Sequence, residues 1–255
     1  MAVKKTTVKE KAADGGEMTV RGHLKELRNR LIICILVFIV GFIICFYFAG
    51  NLIKILTDMG TQYGYEYVYL APQELLMEYF NVGLIGGLIL DIPVIATEIY
   101  QFSVPALDKK GRSAFFWTLV FGGVCFIIGI LFAYFITVPF MLHFLISFSG
   151  QTTIKASISI QQFLSFIITV FIIFGCIFEM PVVSVLLARL GILKPEWLKK
   201  GRKVAIVLIF IVAAIITPPD VSSQILVAIP MIVLYELSIW LTSMLYKKKT
   251  EVNEE

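Results

Sequence analysis

A chain of 255 residues that is 58% hydrophobic and only 16% charged, with 21 phenylalanines, has more apolar surface than a water-soluble core of that size can hide. Lipid removes the need to hide it, so composition points to an integral membrane protein. The net charge of +4 is modest, and its distribution suits an anionic leaflet or an acidic partner better than nucleic acid.

Of the 22 lysines and arginines, 20 fall in four patches: eight within 4–30, three within 109–112, six within 189–203 and three within 247–249. Only Lys54 and Lys155 lie elsewhere. Between the patches run 31–108, 113–188 and 204–246, each long enough to cross a bilayer and return. Basic residues stay on the cytoplasmic side of inserting segments, which predicts an even number of spans with both termini inside.

In chain order, residues 1–18 are polar and charged and read as a flexible cytoplasmic tail. A cleaved signal peptide within 1–50 fits poorly, because about 30 largely polar residues precede an apolar run too long for an h-region. The segment from Thr19 to Leu31 carries Val20, Leu24, Leu27 and Leu31 on one helical face, with Glu26 and Arg30 spaced as an i, i+4 pair. It predicts a helix lying along the inner membrane surface. Six spans are then expected, at about 31–49, 75–100, 115–138, 161–187, 204–216 and 222–241, within a membrane domain covering 19–246. Residues 247–255 form a second cytoplasmic tail.

The loops and short segments carry their own signals. Tyr63, Tyr65, Tyr67 and Tyr69 alternate strictly within 50–74, as on one side of a short extended segment or in an interfacial belt. Residues 139–148 are apolar but too short to span and are expected at the outer interface. The stretch 204–216 has 13 residues. That gives roughly 20 Å of helix against about 30 Å of hydrocarbon, so the membrane thins there or neighbouring helices cover the deficit. Pro218 and Pro219 cannot continue a helix and Asp220 can cap the next, so a tight hairpin of two short helices is expected at the end of the domain.

Polar residues inside spans are the candidates for function. Glu179 lies within the fourth, next to Pro181, which frees a backbone carbonyl one turn earlier. Glu236 lies near the middle of the sixth and Gln224 a turn into it. Asp91 precedes Pro93 in the second, close enough to the cytoplasmic end to reach headgroup water. A chain of Asp91, Glu179 and Glu236 facing a shared interior would suit a proton-coupled small-solute transporter. Yet there is no internal repeat by eye, and the polar residues gather toward the inner half. Cys34, Cys45, Cys125 and Cys176 sit in apolar stretches without ligand spacing and read as small packing residues. His23 and His143 are far apart. No phosphate loop, metal cluster or activated nucleophile is evident, so no enzyme activity, metal site or cofactor is expected.

Five short segments in order resemble the TatC family, the multi-span core of the twin-arginine protein translocase. They are His23–Arg30, Phe102–Leu107, Phe178–Pro181, Thr217–Gln224 and Pro230–Glu236. The resemblance covers about 19–246 and implies a concave bundle of six transmembrane helices, all-α, in the cytoplasmic (inner) membrane. It implies a receptor for the paired arginines of signal peptides on folded cargo. It also implies single-span partners of the TatA and TatB type, self-association in a larger complex, and transport driven by the proton-motive force. Signal-peptide positions carried over are Leu24, Glu26, Arg28, Phe102, Pro105 and Leu107. The second glutamate usual in the family is replaced here by Gly111, and Asp108 is expected to substitute as acceptor. The family's intramembrane glutamate corresponds to Glu179, and Pro181, Pro218, Pro219, Asp220, Gln224 and Glu236 mark the expected partner-facing edge.

Overall fold

The computed structural model describes residues 20–104, 109–149, 157–217 and 221–254. The expected tail at 1–18 therefore lies outside the described residues, as do Pro105, Leu107, Asp108, Pro218, Pro219 and Asp220.

Helices account for nearly everything described. They are α1 (Val20–Tyr47), α2 (Ala49–Thr61), α3 (Pro72–Ser103), α4 (Lys109–Phe132), α5 (Val138–Ser149), α6 (Ile160–Phe178), α7 (Met180–Arg189), α8 (Pro195–Ile216) and α9 (Val221–Glu254). Five stretches are long and apolar enough to cross a membrane: 22–47, 72–103, 111–147, 160–189 and 221–245. Each is mostly unburied by protein, as expected where lipid is the solvent. On α1 the predicted apolar stripe is exposed at Leu24, Leu27 and Leu31, and so are Ile35, Leu36 and Val40 further along.

Several predicted elements change. The segment before the first span is not a separate surface helix: it continues without interruption into α1. Nothing between Val20 and Tyr47 would break a helix, since the residues there include no proline and the single glycines are tolerated. Residues 139–148 do not stand apart either. They extend the third crossing through a π-helical turn at Ala133–Thr137, where the Val138 amide donates five residues back to the Ala133 carbonyl. Pro139 has no amide to donate, and the wider turn before it lets the helix continue. Met141 and Leu142 in this extension are buried in the core. The fourth crossing is broken at Glu179 into α6 and α7, with Pro181 in the first turn of α7.

The terminal hairpin also departs from expectation. α8 has 22 residues, because the helix begins at Pro195 and carries the basic patch before its 13 apolar residues. α9 has 34 residues and is not short; it runs through Pro230 and through Lys247–Lys249 to Glu254. The break between them stands: Thr217 adopts an extended backbone, as the residue before a proline must, and its hydroxyl caps the Ala213 carbonyl at 2.9 Å.

The tyrosine-rich loop forms one strand, β1 (Glu66–Val68), paired in parallel with β2 (Ser157–Ser159). Three residue pairs tie the first outer loop to the second. Tyr65 is buried and the Tyr67 ring lies 4.7 Å from Phe163, whereas Tyr69 is exposed. Burial, with smaller contributions from Tyr65 and Asp58, pushes the Tyr67 hydroxyl well above its usual range.

The core centres on α6, where Leu164, Ile167, Val170 and Phe174 are completely buried. Helices approach it and each other at glycines. A Cβ at Gly87 of α3 would lie 2.7 Å from the backbone nitrogen of Phe42 in α1, and one at Gly129 of α4 would lie 2.6 Å from the Phe174 carbonyl oxygen in α6. Backbone cannot yield as a flexible side chain can. Gly87→Ala and Gly129→Ala are each expected to destabilise by about 1–3 kcal/mol. Gly123→Ala, whose new methyl meets nothing within 4 Å, is expected to be neutral. Thermal unfolding of the three variants in detergent checks this, and equal midpoints for all three would contradict it.

Candidate functional site

The contact of Gly41 with Gly87 holds α1 and α3 together in antiparallel fashion. Eleven residues from that contact along each helix, or about 16 Å at 1.5 Å per residue, stand Arg30 on α1 and Glu98 on α3. Sequence spacing alone pairs Arg30 with Glu26, and that pair is present. The structure adds two further partners. Arg30 Nε donates to Glu26 Oε1 at 3.1 Å, while Nη1 donates to Glu98 Oε2 at 2.9 Å and to Gln101 Oε1 at 3.1 Å. One guanidinium is thus held between two carboxylates from two helices. The side chains of Arg30, Glu26 and Glu98 are 17%, 21% and 13% exposed, so these ion pairs are partly withdrawn from solvent.

A groove of about 440 Å³ opens over this cluster, between Lys25 and Asn29 on one side and Glu98 and Gln101 on the other. Glu26 Oε2 is buried and accepts no hydrogen bond among the described residues. Beside the groove the His23 ring stacks on Phe102 at 4.2 Å. Leu24 is 60% exposed, and Arg28 is exposed with a 3.4 Å contact to Asn29. The structure therefore brings Glu26, Phe102 and the start of α1 together. Glu98 escaped the sequence reading because the motif match directs attention to Phe102 onward. The available signal was its position one turn before Phe102, on the same face of a helix end.

Glu179 lies at the joint between α6 and α7. Its carboxylate packs against Gly122 of α4, where a Cβ would come within 2.8 Å of Oε2. Pro181 beside it is buried. Gly122 is thus the gap that admits a carboxyl group between two apolar helices.

The other candidate carboxylates do not join Glu179. Glu236 makes a 2.7 Å ion pair with Arg202 of α8, both side chains being nearly half exposed. Arg202 reaches this level because α8 begins nine residues earlier than its apolar stretch. Asp91 does not reach headgroup water: it is 2% exposed, one turn from Gly87 on the α1-facing side of α3, and its Oδ1 has no partner among the described residues. Tight packing at Gly87 seals that face. Gln224 is used structurally, its amide donating to the Phe210 carbonyl at 2.9 Å and so bridging α9 to α8. One further buried carboxylate was missed: Glu78 of α3 is completely buried and accepts from Asn81 at 3.2 Å. Among the described residues no group of three or more His, Cys, Asp or Glu could hold a metal ion.

Comparison with known proteins places these features in a family. Residues 22–230 match the family described as Sec-independent protein translocase protein (TatC). The Sec-independent protein translocase protein TatC of Aquifex aeolicus (strain VF5) is 39% identical over 241 residues, spanning 93% of this chain and 100% of that one. TatCy of Bacillus subtilis (strain 168) is 34% identical over 234 residues, 91% of each. A crystal structure of the twin arginine translocase receptor TatC superposes with a TM-score of 0.77 at 39% identity, covering 87% of this chain and 98% of that one. With its five membrane-length apolar stretches, this chain is a multi-pass membrane protein of protein transport and belongs to the TatC family of Sec-independent protein translocase proteins.

Proposed function

We propose that this chain is the receptor and scaffold of a twin-arginine export system, and that it captures the arginine pair of a signal peptide at the groove between α1 and α3. The observation that carries this reading is the convergence of Glu26 and Glu98 on a single guanidinium beneath the open groove. Carboxylates in a partly desolvated groove are the strongest acceptors a guanidinium fork can find, and a planar fork uses both oxygens where an ammonium uses one point of charge. Arg30 keeps the two acid groups aimed at the groove before any peptide arrives. Leu24 and the stacked His23–Phe102 pair offer apolar surface to residues flanking the arginines. Arg28 stands at the rim. Of the residues that follow Phe102 in the chain, Pro105 and Leu107 belong to the proposed site, and Asp108 serves as an acceptor where Gly111 replaces the family's glutamate.

The membrane part of the reading is a concave bundle of six crossings with both termini in the cytoplasm, the apolar stretch of α8 supplying the sixth. Glu179, seated in the Gly122 gap, is the docking point for a partner's transmembrane segment. Single-span proteins of the TatA and TatB type fit that role, in a self-associating complex driven by the proton-motive force. Pro181, Pro218, Pro219, Asp220, Gln224 and Glu236 shape the edges offered to them, the last two by clamping α8 to α9. The 13 apolar residues of α8 would thin the bilayer where folded cargo crosses. A small-solute transporter is disfavoured because Asp91, Glu179 and Glu236 sit at three separate helix junctions.

Two experiments test this. Removing one carboxylate from a charge-assisted pair loses about 1.5–3 kcal/mol, so Glu26→Gln and Glu98→Gln should each weaken a twin-arginine peptide about 10- to 100-fold in nanodisc titrations. A twin-lysine peptide should bind weakly to every form, and Asp108→Ala should have a smaller effect than either. Unchanged binding in both glutamine variants would refute the site. Separately, four leucines inserted after Ile211 should impair export of a folded reporter by restoring bilayer thickness. Normal export by that variant would refute thinning.

A further inference from the structure

A second concave surface lies away from the groove at α1 and α3. It runs between α4, α7 and α9, has a volume of about 720 Å³ and is lined almost wholly by apolar side chains. At one end stand Trp117, Arg189 and Leu245; at the other stand Ile128, Phe178 and Leu234. On α4 and on α9 these limits are eleven residues apart, about 16 Å at 1.5 Å rise, and Phe178 and Arg189 stand at matching levels on either side of the α6–α7 joint, so the trough has one length. That length equals roughly half of the 30 Å hydrocarbon core, the depth of one leaflet.

The charged end has a specific construction. α7 stops at Arg189 in a Schellman turn: Gly191, with φ +78°, donates to the Ala188 carbonyl and Ile192 donates to the Leu187 carbonyl. The stop leaves the Arg189 side chain exposed at the mouth of the trough, without an ion pair or hydrogen bond among the described residues. Trp117 beside it is half exposed, as aromatic residues at the headgroup level are. Arg189 also opens the patch of six basic residues within 189–203, which sets this end on the side of the positive loops.

We infer that the trough between α4, α7 and α9 is a binding site for one anionic phospholipid of the leaflet facing the basic patches, its acyl chain lying along the trough and its phosphate on the Arg189 guanidinium. A single-leaflet length, an almost wholly apolar floor and an exposed fork cation, unpaired among the described residues, are the complement of that molecule. A partner's transmembrane helix fits less well, because it needs about 30 Å of apolar contact and brings no phosphate to Arg189. Glu179 is not among the lining residues, but Pro181, assigned above to the partner-facing edge, is, so the trough adjoins the proposed partner-docking point without including its carboxylate. The inference rests on the membrane placement of the fold but not on peptide recognition.

The test uses the purified full-length chain in detergent, stripped of lipid and exposed to phosphatidylglycerol or phosphatidylcholine, with retained lipid read by native mass spectrometry. One basic side chain near an anionic headgroup corresponds to about fivefold, so phosphatidylglycerol should be retained about fivefold better. Arg189→Gln should bring that ratio near unity without moving the melting temperature of the lipid-free protein, and Val185→Trp, which fills the trough, should abolish retention of both lipids. A photoreactive residue at position 185 should acquire the mass of a lipid in native membranes. An undiminished preference in Arg189→Gln, or a crosslink at 185 to a protein segment instead, would overturn the assignment. Twin-arginine peptide binding is measured separately, so failure here leaves the receptor reading untouched.

Discussion

Lipid tails are as apolar as the side chains of this protein, so transferring leucine or phenylalanine from lipid to a helix interface gains little, and cohesion must come from close packing. The bare glycines provide it. At Gly41 and Gly87, and again at Gly129 and Gly175, two backbones meet with no side chain between them. Such contacts fix the separation and register of α1 on α3 and of α4 on α6. Everything chemically interesting is then a matter of distance along the helix from one of those points.

Glu26, Arg30, Glu98 and Gln101 meet at one end of the α1–α3 pair because each lies a set number of turns from Gly41 or Gly87. Glu179 meets Gly122 because the Gly129–Gly175 contact brings α4 close to the α6–α7 joint. The same rigidity explains why the carboxylates fall into different classes. Glu236 found a cation and half-exposure, whereas Asp91 and Glu78 were sealed in by close packing with acceptor oxygens unpartnered among the described residues. Polar groups in such surroundings are expensive, and a protein keeps them where they do something or where a proton neutralises them.

Much of this was legible in the chain. Apolar length located five membrane-length stretches, although the first begins nine residues before and the third ends nine residues after the expected bounds; the i, i+4 spacing foretold Glu26 with Arg30, and Thr217 before Pro218 marked the end of α8. What escaped was long-range or subtle. No local pattern shows that Glu98 meets a residue 68 positions away. The joint at Glu179 and the π-helical turn before Pro139 are one-residue departures within strongly helical sequence, invisible to a period of 3.6. The length of α8 was misjudged because apolarity was taken to bound the helix, although Pro195 is a favourable first helical residue and the lysines after it are good helix formers.

The occupied state of the α1–α3 groove has a consequence of its own. Any cation that enters meets acceptors already engaged, and the remaining oxygen of Glu26 is enclosed, so it must exchange with Arg30 or turn the Glu26 side chain outward. Swapping one guanidinium for another is close to thermoneutral. Net attraction at this spot is therefore governed by whatever a visitor carries beyond its first positive charge.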